Sequence, residues 1–91
     1  MSAVSRQVLV TNRRGLHARA SAKFVTLASG LPVPVTVGKD GAGSVTATSI
    51  MGLMMLGAAM GDTITISAEG DGADEAVGQL VELVEAKFGE D

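Results

Sequence analysis

The sequence predicts an α+β fold in which helices cover one face of an antiparallel sheet. Strand-like and helix-like patterns follow one another in the order β-α-β-β-α-β-α along the 91 residues. The dipeptide Asp40-Gly41 separates the second and third strands and is typical of a tight hairpin turn. Apolar residues make up 46% of the chain, which is enough for a packed core. This order favours a sheet with its helices on one side, and the length indicates one domain over residues 1–91.

The first half of the chain contains three strands and one helix. Residues 7–11 are rich in β-branched and apolar side chains, which favour a strand. Apolar side chains at spacings of three and four then predict a helix over residues 17–29, which ends at Gly30. Further strands are predicted over residues 33–37 and 44–47, on either side of the hairpin turn.

The second half contains two helices and one strand. Thr48 or Ser49 is expected to cap a helix that runs to about residue 56. Residues 63–68 alternate between apolar and polar side chains, as a half-buried strand does. A last helix is expected to begin at a cap formed by Asp71. Its apolar stripe comprises Ala76, Val77, Leu80, Val84 and Phe88.

The composition excludes several classes of site. The chain has no Cys, so disulfides, thiolate metal sites and cysteine catalysis are excluded. With a single His, a zinc site would consist almost entirely of carboxylates, and we expect no metal ion and no cofactor. The first eight residues lack the apolar run of a signal peptide, and the apolar stretch over residues 50–61 is shorter than the ~20 residues of a membrane helix. We therefore expect a cytoplasmic protein without direct membrane insertion.

The charges are distributed unevenly along the chain. Residues 1–39 carry six basic side chains and no acidic ones, whereas residues 40–91 carry ten acidic side chains and one basic one. A positive surface attracts phosphate groups or an acidic partner. Nucleic acid is not an expected partner, because the net charge is −3 and the chain has no Tyr or Trp on which bases could stack.

His17 is the residue that most suggests chemistry. It follows Gly15 and opens the first helix, where unpaired backbone N–H groups and the positive helix end form an anion site. Arg14 and Arg19 flank it and could make forked hydrogen bonds to a phosphoryl group. The alternative is that His17 is only a helix cap, and the residues alone favour this simpler interpretation.

Three segments resemble the signatures of one family. Residues 12–19 (Asn-Arg-Arg-Gly-Leu-His-Ala-Arg) closely resemble the active-site signature of HPr, the family of histidine phosphocarriers of the bacterial phosphotransferase system. Residues 49–54 (Ser-Ile-Met-Gly-Leu-Met) are similar to its regulatory-serine segment, and residues 63–70 to its last strand and the exit from it. The resemblance spans nearly the whole chain. It implies an open-faced β-sandwich, with a four-stranded antiparallel sheet covered by three helices.

The resemblance also implies a function. His17 would accept a phosphoryl group on Nδ1 from phosphorylated enzyme I and pass it to an enzyme IIA domain. Arg19 would stabilise the phosphoryl charge, aided by the backbone amides of Ala18 and Arg19. Such a protein would be a carrier without independent turnover, and we expect a monomer because a carrier must expose one face to successive partners. One residue departs from the family pattern, because Ala20 stands where the family usually has proline.

The helix after Ser49 has two interpretations of its own. From its position, Ser49 is expected to be a helix N-cap, which would stabilise the fold by about 1 kcal/mol. By the resemblance, it would also be a site of regulatory phosphorylation by an HPr kinase/phosphorylase. The resemblance also places Ile50, Met51 and Met54 in a docking patch beside His17. The basic side chains of Arg14, Arg19 and Lys23 would form a rim that speeds encounter with the partners. The alternative is that all six apolar side chains of this helix belong to the core. Those six are Ile50, Met51, Leu53, Met54, Met55 and Leu56.

Three functional alternatives remain open on the sequence. The protein could be a regulatory binding module controlled by phosphorylation of Ser49, although the presence of His17 argues against this. It could be a carrier of a nitrogen-type regulatory branch rather than of sugar import. It could also be a hydrolase that uses His17 as a base, for which the support is only generic.

Overall fold

The computed structural model describes residues 3–90 and contains four strands, three α-helices and a short 3-10 turn. In chain order the elements are β1 Ala3–Leu9, α1 Ala18–Ser29, β2 Val35–Lys39, β3 Gly43–Thr46, α2 Ile50–Met55, β4 Thr63–Glu69, α3 Ala73–Glu85 and the turn Lys87–Gly89. The predicted order β-α-β-β-α-β-α is confirmed. Among residues 3–90, no helix has the length and apolar character needed to cross a membrane.

All four strands belong to one antiparallel sheet in the spatial order β1-β4-β2-β3. β4 pairs along its whole length with β1, from Thr63 opposite Leu9 to Glu69 opposite Ala3. On its other side β4 pairs with β2, which pairs with β3 across the hairpin. The expected α+β class, with a four-stranded antiparallel sheet and three helices, is confirmed.

The core lies between the sheet and the helices. Along β4, the buried side chains of Ile64 and Ile66 alternate with more exposed ones, so only one face of the sheet is covered. α1 contributes the fully buried Phe24, and α3 contributes Leu80 and Val84. This packing fixes the start of α1, which carries His17, against the rest of the molecule.

Two strands differ from their predicted positions. β1 covers Ala3–Leu9 rather than residues 7–11. It begins earlier because Ala3 to Arg6 also pair with β4, and it ends earlier because the backbone of Val10 bonds to Gly61 and Asp62. β2 begins at Val35 rather than at residue 33, because Pro34 has no N–H to donate to a strand partner. The bounds of the other strands and of α1 and α2 agree closely with the prediction.

The last helix differs from the prediction at both ends. Asp71 is not its cap: Gly72 occupies that position in a left-handed conformation, with φ of 87° and no side-chain cap bond. Glycine adopts this conformation without a steric penalty, so the helix begins one residue later. Phe88 is not part of the helical stripe either, because α3 ends at Glu85. Phe88 lies in the following turn with φ of 55°, yet its side chain is buried in the core.

Candidate functional site

His17 is the N-cap of α1. Its backbone is extended, and its Nδ1 atom accepts a hydrogen bond from the backbone N–H of Arg19 at 3.2 Å. Its carbonyl oxygen accepts the first helical hydrogen bond, from the N–H of Ser21 at 2.9 Å. The interpretation of His17 as a helix cap is therefore confirmed. The same geometry places Nδ1 beside the unpaired N–H groups of the helix start, where an anion is favoured.

The loop before His17 is held from two directions. The fully buried Asn12 donates from its side-chain amide to the carbonyl oxygen of Gly15 at 2.8 Å. The N–H of Leu16 donates to the carbonyl oxygen of Ala58, in the loop after α2, at 2.9 Å. Gly15 has φ of 60°, and a Cβ atom there would lie 2.3 Å from the Ala58 oxygen. Only glycine fits this close approach, which fixes where α1 begins.

Glu90 is a site residue that the sequence analysis missed. Its Oε2 atom lies 2.6 Å from Nε2 of His17, and its Oε1 atom accepts a hydrogen bond from Asn12 Nδ2 at 3.1 Å. An ionised carboxylate can only accept hydrogen bonds, so Nε2 of the neutral ring carries the proton. Nδ1 accepts from Arg19 and therefore has the free electron pair. The two contacts select the tautomer in which Nδ1 is the nucleophilic nitrogen.

The chain reverses after α3 and brings Glu90 to His17. Lys87 and Phe88 both have positive φ, at 57° and 55°, and Gly89 continues at 76°. Lys23 Nζ holds this turn by donating to the carbonyl oxygen of Phe88 at 2.7 Å. Gly89 was the one sign of this turn in the sequence, because glycine tolerates positive φ. The helical spacing of Phe88 instead favoured a helix that continued through it.

The carboxyl group of Glu90 is ionised at neutral pH. Partial burial raises its pKa, but the hydrogen bonds from Asn12 and His17, together with the positive charge of Arg19, hold the pKa below its ordinary value of 4.5. A negative charge therefore stands beside the ring of His17. It favours any state in which the ring gains positive charge.

A shallow basic cleft of about 370 Å³ opens beside Glu90. Its walls include four cationic side chains, those of Arg13, Arg14, Arg19 and Lys23. The structure thus brings together the predicted residues Arg14, Arg19 and Lys23. It adds Arg13, which the sequence analysis counted only in the overall charge. The described residues 3–90 contain no group of three or more His, Asp or Glu side chains that could hold a metal ion.

α2 presents an exposed apolar surface near this site. Of the two expected caps, Thr48 and Ser49, it is Ser49 that caps α2, with Oγ accepting the N–H of Gly52 at 2.9 Å. Leu53 and Leu56 are buried, but the other four apolar side chains are each at least 40% exposed. The interpretation that all six belong to the core is therefore wrong. We call the four exposed side chains the α2 patch. The α2 patch consists of Ile50, Met51, Met54 and Met55.

Ala20 lies where the HPr family usually has proline. It is in the first turn of α1, and its side chain is fully buried. Proline is tolerated in a first helical turn, and alanine is the best helix former. The helix start and the cap at His17 are intact with alanine at this position.

A ring nitrogen with a free electron pair at a helix start, and a basic cleft lined by the carboxylate that contacts the same ring, suit a phosphoryl group held on histidine. With the open-faced sandwich that carries it, this site defines the class of histidine phosphocarriers. Residues 4–86 match the family model described as PTS HPr component phosphorylation site. The chain belongs to the HPr family of the phosphotransferase system. Members of this family carry phosphoryl groups and have no independent turnover.

Known relatives are similar along nearly their whole length. The chain is 43% identical over 84 residues to the phosphocarrier protein HPr of Pseudomonas aeruginosa, covering 92% of this chain and 93% of the relative. It is 42% identical over 90 residues to the phosphocarrier protein NPr of Shewanella violacea, covering 99% and 98%. The crystal structure of HPr-C-His from Thermoanaerobacter tengcongensis is 45% identical and superposes with a TM-score of 0.87, covering 100% and 99%.

Replacing Glu90 by Gln removes the charge of the carboxylate and keeps the size of the side chain. The pKa of Glu90 is lowered in the folded protein. Its ionised form therefore stabilises the fold at pH values above 4.5, the ordinary pKa of a glutamate. This contribution is lost as the pH falls through the lowered pKa. We expect Glu90→Gln to have the lower free energy of unfolding at neutral pH and to match the unaltered protein in acid.

Urea denaturation at a series of pH values measures this difference. Glu85→Gln, which neutralises an exposed glutamate at the end of α3, is the matched control and should change stability little. If the difference in free energy of unfolding between Glu90→Gln and the unaltered protein stayed constant from neutral to acidic pH, the lowered pKa of Glu90 would be contradicted.

Proposed function

We propose that the protein accepts a phosphoryl group on Nδ1 of His17 from phosphorylated enzyme I and donates it to an enzyme IIA domain. The observation that carries this proposal is the contact of the His17 ring with Arg19 N–H on one side and Glu90 on the other. That contact leaves Nδ1 as the nucleophile. Membership of the HPr family supports the same role.

The transfer step follows from these contacts. The electron pair of Nδ1 attacks phosphorus, the new N–P bond forms, and the donor's N–P bond breaks with its electron pair returning to the donor ring. Nε2 keeps its proton throughout, so the His17 ring becomes positively charged. The carboxylate of Glu90, 2.6 Å from Nε2, stabilises that charge. The reverse sequence delivers the group to the next protein.

The helix start and the basic cleft receive the phosphoryl oxygens. The backbone N–H of Arg19 now donates to Nδ1, and with that of Ala18 it can donate to a phosphoryl oxygen once Nδ1 is bonded to phosphorus. The guanidinium of Arg19 adds charge-assisted hydrogen bonds. Arg14 lines the same cleft and speeds encounter with an acidic partner. Lys23 also holds the turn at Phe88, so its role is partly structural.

The α2 patch is the proposed docking surface for the partner proteins. Ile50, Met51 and Met54 are exposed, although apolar, and a contiguous patch of this kind marks a partner site. Methionine is flexible and polarisable, which suits a surface that must fit several partners in turn. The link from Leu16 N–H to the oxygen of Ala58 holds the His17 loop against the segment that follows α2.

The carrier role is tested by phosphotransfer. The protein is mixed with phosphoenolpyruvate, Mg²⁺ and enzyme I, and its intact mass is measured. We expect the gain of one acid-labile phosphoryl group, and no gain for His17→Ala, because that variant lacks the nucleophile. Arg14→Ala, which removes a cation from the rim and leaves the ring in place, is the control and should be phosphorylated more slowly. Failure of the unaltered protein to gain the group from an active cognate enzyme I would refute the carrier role.

Met54→Glu tests docking on the α2 patch. A negative charge on an apolar contact surface must be desolvated by the partner, so we expect at least about a tenfold rise in the Kd for enzyme I. Titration calorimetry measures the Kd. Gln7→Glu is the control, since it adds the same charge to the exposed β1 strand, away from α2. Equal affinities of Met54→Glu and the unaltered protein would refute docking there.

Regulatory phosphorylation of Ser49 by an HPr kinase/phosphorylase is a second part of the proposal. Ser49 is half-buried at the start of α2, directly before the α2 patch. A phosphate there adds a charge of about −1.5 to −2 beside the docking surface, while its oxygens can still accept from Gly52 N–H.

Ser49→Asp is expected to slow phosphotransfer from enzyme I, because the new carboxylate lies beside the proposed docking surface. Initial rates at limiting enzyme I measure the effect. Ser49→Ala is the control: it loses the cap, worth about 1 kcal/mol, but gains no charge. A Ser49→Asp rate equal to that of the unaltered protein would refute the regulatory role.

A nitrogen-type regulatory branch is the alternative to sugar import. The relative named NPr is 42% identical over 99% of this chain, nearly the identity of the relatives named HPr, and supports this alternative. The two branches differ in the acceptor. Faster transfer from the phosphorylated protein to a nitrogen-type enzyme IIA than to a sugar-specific one would favour the regulatory branch.

A further inference from the structure

We propose that the thioethers of Met51, Met54, Met55 and Met60 form an oxidation-sensitive modification site, whose conversion to sulfoxides by a hydroperoxide weakens docking on the α2 patch. The effect on docking rests on the proposed function of that patch. The site is assigned from the exposure of four sulfur-containing side chains in one short segment of the chain.

The chain offers few other groups to an oxidant. It contains no Cys, Trp or Tyr and five methionines, of which four lie within residues 51–60. The exposed fractions are 78% for Met55, 68% for Met51, 58% for Met60 and 41% for Met54. Oxidation of methionine follows access to the sulfur, so these thioethers are the first targets of a dilute peroxide.

Inward and outward positions of α2 carry different chemistry. The residues that anchor this segment in the core are Leu53 and Leu56, which have no sulfur to oxidise. The exposed positions around them carry Met51, Met54 and Met55. Oxidation therefore changes the surface and leaves the core contacts of α2 in place. Oxidation should therefore lower the affinity for a partner and leave the free energy of unfolding unchanged.

The chemical step is a two-electron oxidation at sulfur. A sulfur lone pair attacks one oxygen of the hydroperoxide, the O–O bond breaks, and the S–O bond of a sulfoxide forms. The sulfur loses two electrons and each peroxide oxygen gains one. The proton of the transferred oxygen passes to the departing hydroxide, which leaves as water when hydrogen peroxide is the oxidant. The product is polar, so burying it against a partner without a hydrogen bond is unfavourable. Methionine sulfoxide reductases reverse the step with electrons from a dithiol.

The test oxidises the carrier alone with hydrogen peroxide and removes the peroxide before any partner is added. Peptide mass spectrometry should find oxidation in the order of exposure, fastest at Met55 and slowest at Met54. The oxidised protein should bind enzyme I with a Kd raised about tenfold, should keep its unfolding midpoint in urea, and should recover its affinity after treatment with the reductases.

A variant with leucine at all four positions is the matched control. Leucine has no oxidisable sulfur, so peroxide should leave the Kd of this variant for enzyme I at the value that it has before treatment. A loss of affinity in the leucine variant after peroxide would overturn the proposal, because another group would then be the target. If the fourfold variant does not fold, single Met→Leu variants replace it: at least one of them should lose less affinity after peroxide than the unaltered protein does, and equal losses in all four would overturn the proposal.

The outcomes also separate this proposal from the proposed function. If the untreated protein accepts a phosphoryl group from enzyme I and the oxidised protein binds enzyme I equally well, only the oxidation proposal fails. If the untreated protein neither binds enzyme I nor accepts the group, the carrier role fails, and the effect on docking fails with it. A lower unfolding midpoint in urea for the oxidised protein would also overturn the proposal, because the loss of binding would then follow from damage to the fold.

Discussion

The imidazole of His17 is held from both sides: Nδ1 accepts the backbone N–H of Arg19, and Nε2 lies 2.6 Å from the carboxylate of Glu90. These contacts select one tautomer and one orientation of the ring. Each contact by itself favours the proton on Nε2, and the two together also fix the orientation of the ring. The role of cap and the role of nucleophile are therefore compatible. The hydrogen bond that caps the helix also holds the reactive nitrogen at the anion-binding end of α1.

The contact with Glu90 depends on a turn that is unfavourable by itself. Lys87 and Phe88 have positive φ, which costs about 1–2 kcal/mol for each residue that is not glycine. Full burial of the Phe88 side chain contributes about 1.5–3 kcal/mol. The hydrogen bond from Lys23 to the Phe88 carbonyl adds about 1.5–3 kcal/mol, because the donor is charged. Core packing thus offsets the strain, and the geometry of the site is coupled to the core.

The segment that follows α2 is connected to the loop before α1 through backbone contacts. The oxygen of Ala58 accepts the N–H of Leu16 and lies against the bare Cα of Gly15, so the loop after α2 and the loop before α1 share one position. Leu53 holds α2 in the core and its methionines face outward. The loop that carries His17 and the segment that follows α2 are therefore fixed relative to one another.

Local rules were enough to determine the order of the seven elements and the hairpin, and to narrow the cap of α2 to Thr48 or Ser49, because periodicity, turn residues and capping depend on neighbours in the chain. They also determined His17 as the residue at the start of a helix. Only the tertiary structure decided that Glu90, 73 residues further along, completes the site. The chain reversal at Phe88 breaks helical spacing, and its strain is tolerated only because the side chain has a place in the core. That kind of compensation acts between distant segments and leaves no local pattern in a single sequence.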